Sequence, residues 1–132
     1  MNRRALIFAG LALPMIAPIA RAADDTPRDV EVIYIGGKDC PYCTMWQDEY
    51  KAGWLASPEF RQVTWIEVDV PHLREAYQER YWQGDLKAVW EQIPSKHGTP
   101  RFLIVSKGRL VFNTAGANQW ERTMRALRNV LG

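Results

Sequence analysis

The two cysteines of the chain, Cys40 and Cys43, lie within the four-residue stretch "CPYC". A cysteine thiolate is a nucleophile and exchanges with disulfides, so this pair is the residue set with the most direct chemistry in the sequence. Pro41 is typical of the first position of a helix, where a missing N–H costs nothing. We therefore expect Cys40 at the N-cap of a helix and Cys43 one turn along, on the same face.

A cysteine at a helix start is expected to be acidic. The N–H groups of Tyr42 and Cys43 would lack helical partners, and they and the positive end of the helix dipole favour a thiolate at Cys40. Helix-start cysteines in such motifs have pKa values of about 3.5–7.5, against about 8.5 for a free thiol. The spacing also lets the sulfurs close a disulfide with little backbone movement. Cys40 is the predicted attacking thiol and Cys43 the resolving thiol.

Three other uses of the pair compete with a redox role. A structural disulfide across so short a loop would stabilise the fold by only about 2 kcal/mol. The two cysteines could supply half of the ligands of a zinc site, but two more would be needed. Apart from carboxylates, only His72 and His97 could provide them. Two inert buried cysteines would be unusual in an oxidising compartment. We favour the redox pair and expect no metal and no cofactor.

The N-terminal segment has the pattern of an export signal. Arg3 and Arg4 precede an apolar run over residues 5–20, and small residues suit a peptidase at 20–22. The run is shorter than the roughly 20 residues of a membrane span. We predict a cleaved signal peptide at 1–22, a flexible lead-in at 23–28, one domain at 29–132 and a periplasmic location. A retained anchor is the alternative.

Loss of the signal would change the net charge. The whole chain has 17 basic and 15 acidic residues; without Arg3, Arg4 and Arg21, 14 basic residues face 15 acidic ones and the net charge becomes −1. The basic balance therefore belongs to the signal. Nothing in the charge favours a nucleic acid as partner.

The pattern after the signal predicts the order β-α-β-α-β-β-α. Predicted strands cover 29–36 and 61–70, followed by a hairpin across 101–116 that turns at Lys107-Gly108. The first predicted helix runs from Cys40 to about Lys51, and Gly53 ends it. Further helices are predicted over 72–93 and 118–131. Within 72–93, Asp85 could cap a second short helix. A parallel βαβ unit followed by a hairpin and a covering helix makes an α/β domain with a four-stranded mixed sheet flanked by helices.

Thr99-Pro100 comes directly before the third predicted strand. A proline cannot donate a hydrogen bond to a sheet, and X–Pro bonds are where cis peptides occur. Together with CxxC after the first strand, this makes the chain resemble the thioredoxin-like superfamily over nearly the whole region after the signal. The resemblance rests on the element order, residues 40–43, Thr99-Pro100 and Gly116.

The resemblance implies roles for particular residues. Cys40 and Cys43 would be the catalytic, redox-active disulfide, and Pro100 would be a cis-proline whose loop lies against it. An extended substrate segment would pair beside that loop, an instance of strand addition. The implied substrate-binding residues are Pro41, Tyr42, Thr99 and Pro100.

Comparison within the superfamily refines these expectations. The Pro-Tyr dipeptide is similar to that of glutaredoxins and some periplasmic disulfide isomerases. Thioredoxins carry a buried Asp six residues before the nucleophile, where this chain has Tyr34, so a thioredoxin-style proton acceptor is in doubt.

Three charged residues are candidate modulators of the site. Arg101 would bring a cation near Cys40, although we favour a surface arginine at a strand start. Asp39 would oppose a thiolate if its carboxylate were close. Lys38 would offset this charge, or both side chains would be solvated. Four tryptophans in the helical regions are expected mostly in the core, and residues 81–93 are a candidate segment for partner choice.

The sequence predicts an exported thiol–disulfide oxidoreductase that acts on protein cysteines, with a reductive direction implied by the resemblance. A membrane or periplasmic redox partner would supply electrons, and we expect a monomer. One alternative is a soft-metal or client-binding chaperone that uses the same thiol pair. Another is a structural domain that keeps the fold without chemistry.

Overall fold

The computed structural model describes residues 28–132. The predicted signal at 1–22 and the lead-in up to residue 27 lie outside the described residues. The four strands are β1 Val30–Gly37, β2 Thr64–Val70, β3 Arg101–Ser106 and β4 Arg109–Ala115. The α-helices are α1 Pro41–Glu49, α2 Lys51–Leu55, α3 Leu86–Gln92 and α4 Trp120–Leu131. Single 3₁₀ turns occupy Phe60–Gln62, Leu73–Glu75, Glu79–Tyr81 and Ala117–Gln119.

The strands form one mixed sheet in the order β2-β1-β3-β4. β1 is parallel to β2 and antiparallel to β3, and β3 is antiparallel to β4. This confirms the predicted α/β class with a four-stranded mixed sheet flanked by helices. In the part of the chain that the structure describes, we find no helix long and apolar enough to cross a membrane.

The central strand β1 is buried on both faces, as its run of apolar residues predicts. Alternation along a strand sends Val32 and Tyr34 to one face of the sheet and Ile33 and Ile35 to the other. Two separate cores result, one on each face.

The core on the first face, here called the disulfide-side cluster, contains both cysteines. It is rich in aromatic rings: the ring of Trp46 stacks on Tyr34 at 4.9 Å between centroids and meets Trp120 edge-on at 5.1 Å. Edge-on and offset contacts at such spacings add to the energy of area burial. The main members of the cluster are Val32, Tyr34, Cys40, Cys43, Trp46, Trp54, Phe102, Ile104, Trp120 and Leu127.

The core on the opposite face, here called the far-side cluster, lies under α3 and the segment before it. Trp82 is fully buried there, while Trp90 is only partly buried. With Trp46 and Trp54 on the first face, this confirms that most of these tryptophans are core residues. The main members of the far-side cluster are Ile33, Ile35, Val68, Val70, Ala76, Trp82, Val89, Ile93, Leu103 and Val105.

The first predicted helix is divided in two. α1 ends at Glu49, the chain bends at Tyr50 (φ −119°), and α2 continues through Gly53, which does not end the helix. The bend carries Trp54 beneath the sheet, where its ring meets Trp65 and Trp120 edge-on at 5.4 and 5.5 Å. Burial of this large ring therefore overrides the local helical pattern.

The prediction of helix across 72–93 is largely wrong. Only Leu86–Gln92 is α-helical, and two 3₁₀ turns precede it. The indole N–H of Trp82 donates to the carbonyl of Ala76 at 2.8 Å, so the chain winds around the buried ring instead of continuing as a helix. Asp85 is at the N-cap of α3 as predicted, but its side chain makes no capping hydrogen bond.

The hairpin forms where the sequence predicts it. Lys107 and Gly108 connect β3 to β4 with φ of +52° and +82°, the two positive values that a tight hairpin turn requires. β4 then ends at Ala115, which brings the following residues to the same sheet edge as the residues after β1.

Candidate functional site

The two cysteines lie at the start of α1, as predicted. Cys40 is the N-cap residue, with extended backbone angles, and Pro41 is the first helical residue. The backbone N–H of Cys43 donates to Cys40 Sγ at 3.1 Å. Cys40 and Cys43 form a disulfide with 5.1 Å between their Cα atoms, within the usual range. The helix start therefore directs an unpaired amide at one sulfur.

A second hydrogen bond reaches the same sulfur from a distant part of the chain. Thr99 Oγ1 donates to Cys40 Sγ at 3.3 Å. The Thr99–Pro100 peptide bond is cis, and the carbonyl of Pro100 accepts a 2.8 Å bond from the N–H of Gly116. The loop before β3 and the residue after β4 are thus brought together beside the disulfide.

Burial does not distinguish the two sulfurs. Cys40 is 2% exposed and Cys43 1%. The difference lies in their hydrogen bonds, because both the Cys43 amide and the Thr99 hydroxyl donate to Cys40 Sγ. Donors favour the anionic form of a sulfur, so this geometry supports Cys40 as the nucleophile.

An open, mainly apolar groove of about 370 Å³ runs alongside the disulfide. Tyr42, an exposed aromatic side chain (65%), forms part of it. The sequence predicts Tyr42 and Thr99 as site residues but not Met45, Ala117 and Asn118. Ala117 and Asn118 could have been predicted, because they directly follow Gly116 at the end of β4, beside the start of α1. The groove is lined by Tyr42, Met45, Thr99, Gly116, Ala117 and Asn118.

The charges of Lys38 and Asp39 are engaged with other groups. Lys38 Nζ pairs with Asp69 at 2.8 Å, which raises the pKa of Lys38. Asp39 accepts a 2.7 Å bond from the N–H of Leu73 and lies 3.5 Å from His72 Nδ1. The Leu73 amide is the main reason that the pKa of Asp39 is lowered. Lys38 therefore pairs with Asp69 and not with Asp39, and both Lys38 and Asp39 are exposed to solvent.

Arg101 is not a surface residue, so that expectation is wrong. It is 7% exposed, and it follows the alternation of Leu103 and Val105, which pack in the far-side cluster. Its guanidinium therefore lies on the face of the sheet opposite to the disulfide. The alternative, a cation placed beside Cys40, is wrong for the same reason.

Tyr34 places a neutral phenol beneath the site. Its side chain is fully buried in the disulfide-side cluster. Its Oη makes no well-formed hydrogen bond among residues 28–132, although the nearby Gln47 side chain acts to lower its pKa. Burial raises its pKa to about 12. Such a group stays protonated at neutral pH and does not act as a base there.

The described residues contain no group of three or more His, Cys, Asp or Glu side chains arranged to hold a metal ion.

A disulfide at the start of α1, beside a cis-proline loop and on a sheet of order β2-β1-β3-β4, is the arrangement of the thioredoxin-like fold. Solved thioredoxins have similar structures. Thioredoxin of Malassezia sympodialis superimposes with a TM-score of 0.54 at 16% identity, covering 78% of each chain. The short form of spinach chloroplast thioredoxin f gives 0.54 at 14% identity, covering 80% of each. Oxidised thioredoxin of Plasmodium falciparum gives 0.51 at 14% identity, covering 80% of this chain and 84% of the other.

At these identities the likeness shows the fold. No protein-family model matches the chain, and no curated protein matches it.

Proposed function

We propose that this protein is an exported thiol–disulfide oxidoreductase that acts on protein cysteines through Cys40 and Cys43. The observation that carries the proposal is the pair of donors aimed at Cys40 Sγ, one from the helix start at 3.1 Å and one from Thr99 at 3.3 Å. A purely structural disulfide has no need of donors to one sulfur. A nucleophilic thiolate does, because hydrogen bonds to the charged form lower the pKa.

The exchange runs in two displacements. The Cys40 thiolate attacks one sulfur of a client disulfide; a bond forms between Cys40 Sγ and that sulfur, and the other client sulfur leaves as a thiolate that solvent protonates. Cys43 then loses its proton and attacks Cys40 Sγ, which releases the second client thiolate and forms the Cys40–Cys43 disulfide. Two electrons pass from the pair to the client.

The groove beside the disulfide is suited to a protein client. It is partly open to solvent and lined mainly by apolar atoms, with Thr99 and Gly116 on the cis-proline side. An extended client segment would lie along the Thr99–Pro100 backbone by strand addition, with a side chain next to its cysteine in the groove. Pro41 and Tyr42 would border the segment on the helix side.

Location and direction complete the proposal. The pattern of residues 1–22 supports export to the periplasm with cleavage after Ala22. In the reductive direction a dithiol of a membrane or periplasmic partner returns two electrons to the Cys40–Cys43 disulfide. The Pro-Tyr dipeptide supports a glutaredoxin-type motif, and we propose a monomer.

Reduction of insulin tests the activity. The wild-type protein should accelerate insulin reduction by dithiothreitol, and Cys40→Ser should abolish that acceleration. Cys43→Ser should instead hold clients covalently at Cys40, visible as adducts that dithiothreitol releases. A wild-type protein with no more effect than Cys40→Ser would contradict the oxidoreductase and leave the chaperone that uses the same thiols.

Export is tested separately. The chain, expressed with its own N-terminus in a Gram-negative bacterium, should be recovered from the periplasm with Ala23 as its first residue. Recovery of the full-length chain with the membranes would contradict cleavage and support a retained anchor.

A further inference from the structure

The loop that carries Thr99 has little backbone support of its own. Within residues 94–100 one backbone hydrogen bond is present, from His97 N to Ser95 O at 3.0 Å. Two successive carbonyls of the loop instead accept bonds from side chains on the far side of the sheet. Arg101 Nη2 donates to the carbonyl of His97, and Tyr77 Oη donates to that of Gly98 at 2.6 Å.

Arg101 joins the loop to two other elements. Its Nε donates to Tyr77 Oη at 2.7 Å, and its Nη1 donates to Asn113 Oδ1 of β4 at 2.5 Å. All its acceptors among residues 28–132 are neutral, so no ion pair explains the buried charge. A buried guanidinium must keep its hydrogen bonds, and its planar fork fixes the directions of the groups that it contacts.

Tyr77 is itself held in place by contacts with two tryptophans, so it can fix the position of the loop together with Arg101. Its ring lies nearly parallel to that of Trp82, at 6.5 Å between centroids. Its carbonyl accepts a 2.8 Å bond from the indole N–H of Trp90. Because the single hydroxyl of Tyr77 accepts from Arg101 and donates to Gly98, it couples the guanidinium to the loop.

We propose that Arg101 and Tyr77 are positioning residues that hold the Thr99–Pro100 loop against Cys40. The two side chains fix the carbonyls of residues 97 and 98, and Thr99, the next residue, donates to Cys40 Sγ. The inference rests on the proposed function. Arg101 and Tyr77, on the far side of the sheet, would then control two properties of the site: the acidity of Cys40 and the docking of a client segment.

A role confined to the stability of the fold makes a different prediction. Tyr77→Phe removes the coupling hydroxyl and leaves a ring that can still pack against Trp82. A merely structural hydroxyl would change the melting temperature and leave the acidity of Cys40 untouched. A positioning hydroxyl changes the acidity of Cys40 and the KM for a protein disulfide in a protein that remains folded.

The test compares Tyr77→Phe with Tyr81→Phe. Tyr81 is the matched control for the pKa of Cys40, because its hydroxyl also bonds within this segment, to Glu75 Oε1 at 3.2 Å, and forms no hydrogen bond with the loop among the described residues. Two quantities are measured: the pKa of Cys40 from the pH dependence of alkylation by iodoacetamide, and KM and kcat for insulin beside a small aromatic disulfide.

Tyr77→Phe should raise the pKa of Cys40 by about half a unit or more. It should raise the KM for insulin roughly fivefold, which corresponds to the loss of one hydrogen bond. The KM for the small aromatic disulfide should change less. Tyr81→Phe should leave the pKa of Cys40 at the wild-type value. Arg101→Lys should act in the same direction as Tyr77→Phe, since it keeps the charge but loses the fork.

Equal pKa values of Cys40 in Tyr77→Phe and Tyr81→Phe would overturn the positioning role while the oxidoreductase stands. An inactive wild type would instead contradict the proposed function. The pKa comparison would still decide whether Tyr77 acts on Cys40, because alkylation needs no client. If Arg101→Lys does not fold, Tyr77→Phe alone decides.

Discussion

The backbone N–H of Cys43 donates to Cys40 Sγ at 3.1 Å, so the sulfur occupies the place that a Ser or Asp oxygen takes at an ordinary helix N-cap. In the reduced protein the same amide would point at a thiolate. The Thr99 hydroxyl reaches the same atom from across the site. The acidity of Cys40 therefore depends on a local contact made by the helix and on a distant contact made by the loop.

Removal of the distant contact should make Cys40 less acidic. In Thr99→Val the hydroxyl is lost at nearly constant shape, and a hydrogen bond to a charged group is worth about 1.5–3 kcal/mol. We expect the pKa of Cys40 to rise by about one unit, since 1.36 kcal/mol corresponds to one unit. The measurement is the pH dependence of alkylation of the reduced protein.

The same substitution at Thr64, on β2, serves as the control for this experiment. Thr64→Val should leave the pKa of Cys40 at the wild-type value. A Thr99→Val protein with an unchanged pKa would show that the hydroxyl contact has no influence on the sulfur.

Gly36 has no room for a side chain. A Cβ there would lie 2.3 Å from Oη and 2.6 Å from Cζ of Tyr34. The Tyr34 ring is fully buried and stacked on Trp46, so it cannot move aside. Gly36→Ala should lower the free energy of unfolding by about 1–3 kcal/mol in urea titrations.

Gly53 provides the opposite case within the same protein. A Cβ there would meet nothing within 4 Å, and the residue lies inside α2. Gly53→Ala should stabilise the protein by about 0.5–1 kcal/mol, since alanine is the better helix former. Equal effects of the two substitutions would mean that crowding by Tyr34 does not decide the outcome.

The ionisation of Tyr34 should appear in the stability at high pH. The phenol has an ordinary pKa of 10.0 and a pKa of about 12 in the fold, because burial disfavours the charged form. Stability from the neutral phenol is fully present below pH 10 and is lost as the pH rises through 12. Thermal unfolding followed across this range should show a steeper decline for the wild type than for Tyr34→Phe.

Tyr34→Phe also has an expected result at neutral pH. Its Oη is buried without a hydrogen-bond partner among residues 28–132, so loss of the hydroxyl should leave stability unchanged or raise it. A clear loss of stability at pH 7 would show that the hydroxyl has a partner, for example the nearby Gln47 side chain.

Much of this structure could be predicted from local chemistry. Pro41 after Cys40 placed the helix start, and the Lys107-Gly108 pair placed the hairpin. The apolar run of β1 indicated a central strand. In each case the residue type restricts the backbone directly, or a short pattern reports burial, so no knowledge of distant contacts is needed.

The errors arise where distant contacts decide. Trp82 bends its segment around a buried ring to reach the carbonyl of Ala76, which no helical pattern reveals. Arg101 is buried because Tyr77, Asn113 and the His97 carbonyl surround it, and Tyr77 is 24 residues away. Alternation along β3 indicates which face of the sheet Arg101 lies on. Only the folded structure shows the hydrogen-bond acceptors that allow its charge to be buried.

The acidity of Cys40 in the reduced wild-type protein is the most direct test of this account. It can be measured from the rate of alkylation against pH, with Cys43→Ser used to assign the signal to Cys40. We expect a pKa within the range of about 3.5–7.5 that helix-start cysteines show. A value near 8.5, that of an ordinary free thiol, would contradict the claim that the helix start and Thr99 hold this sulfur as a thiolate.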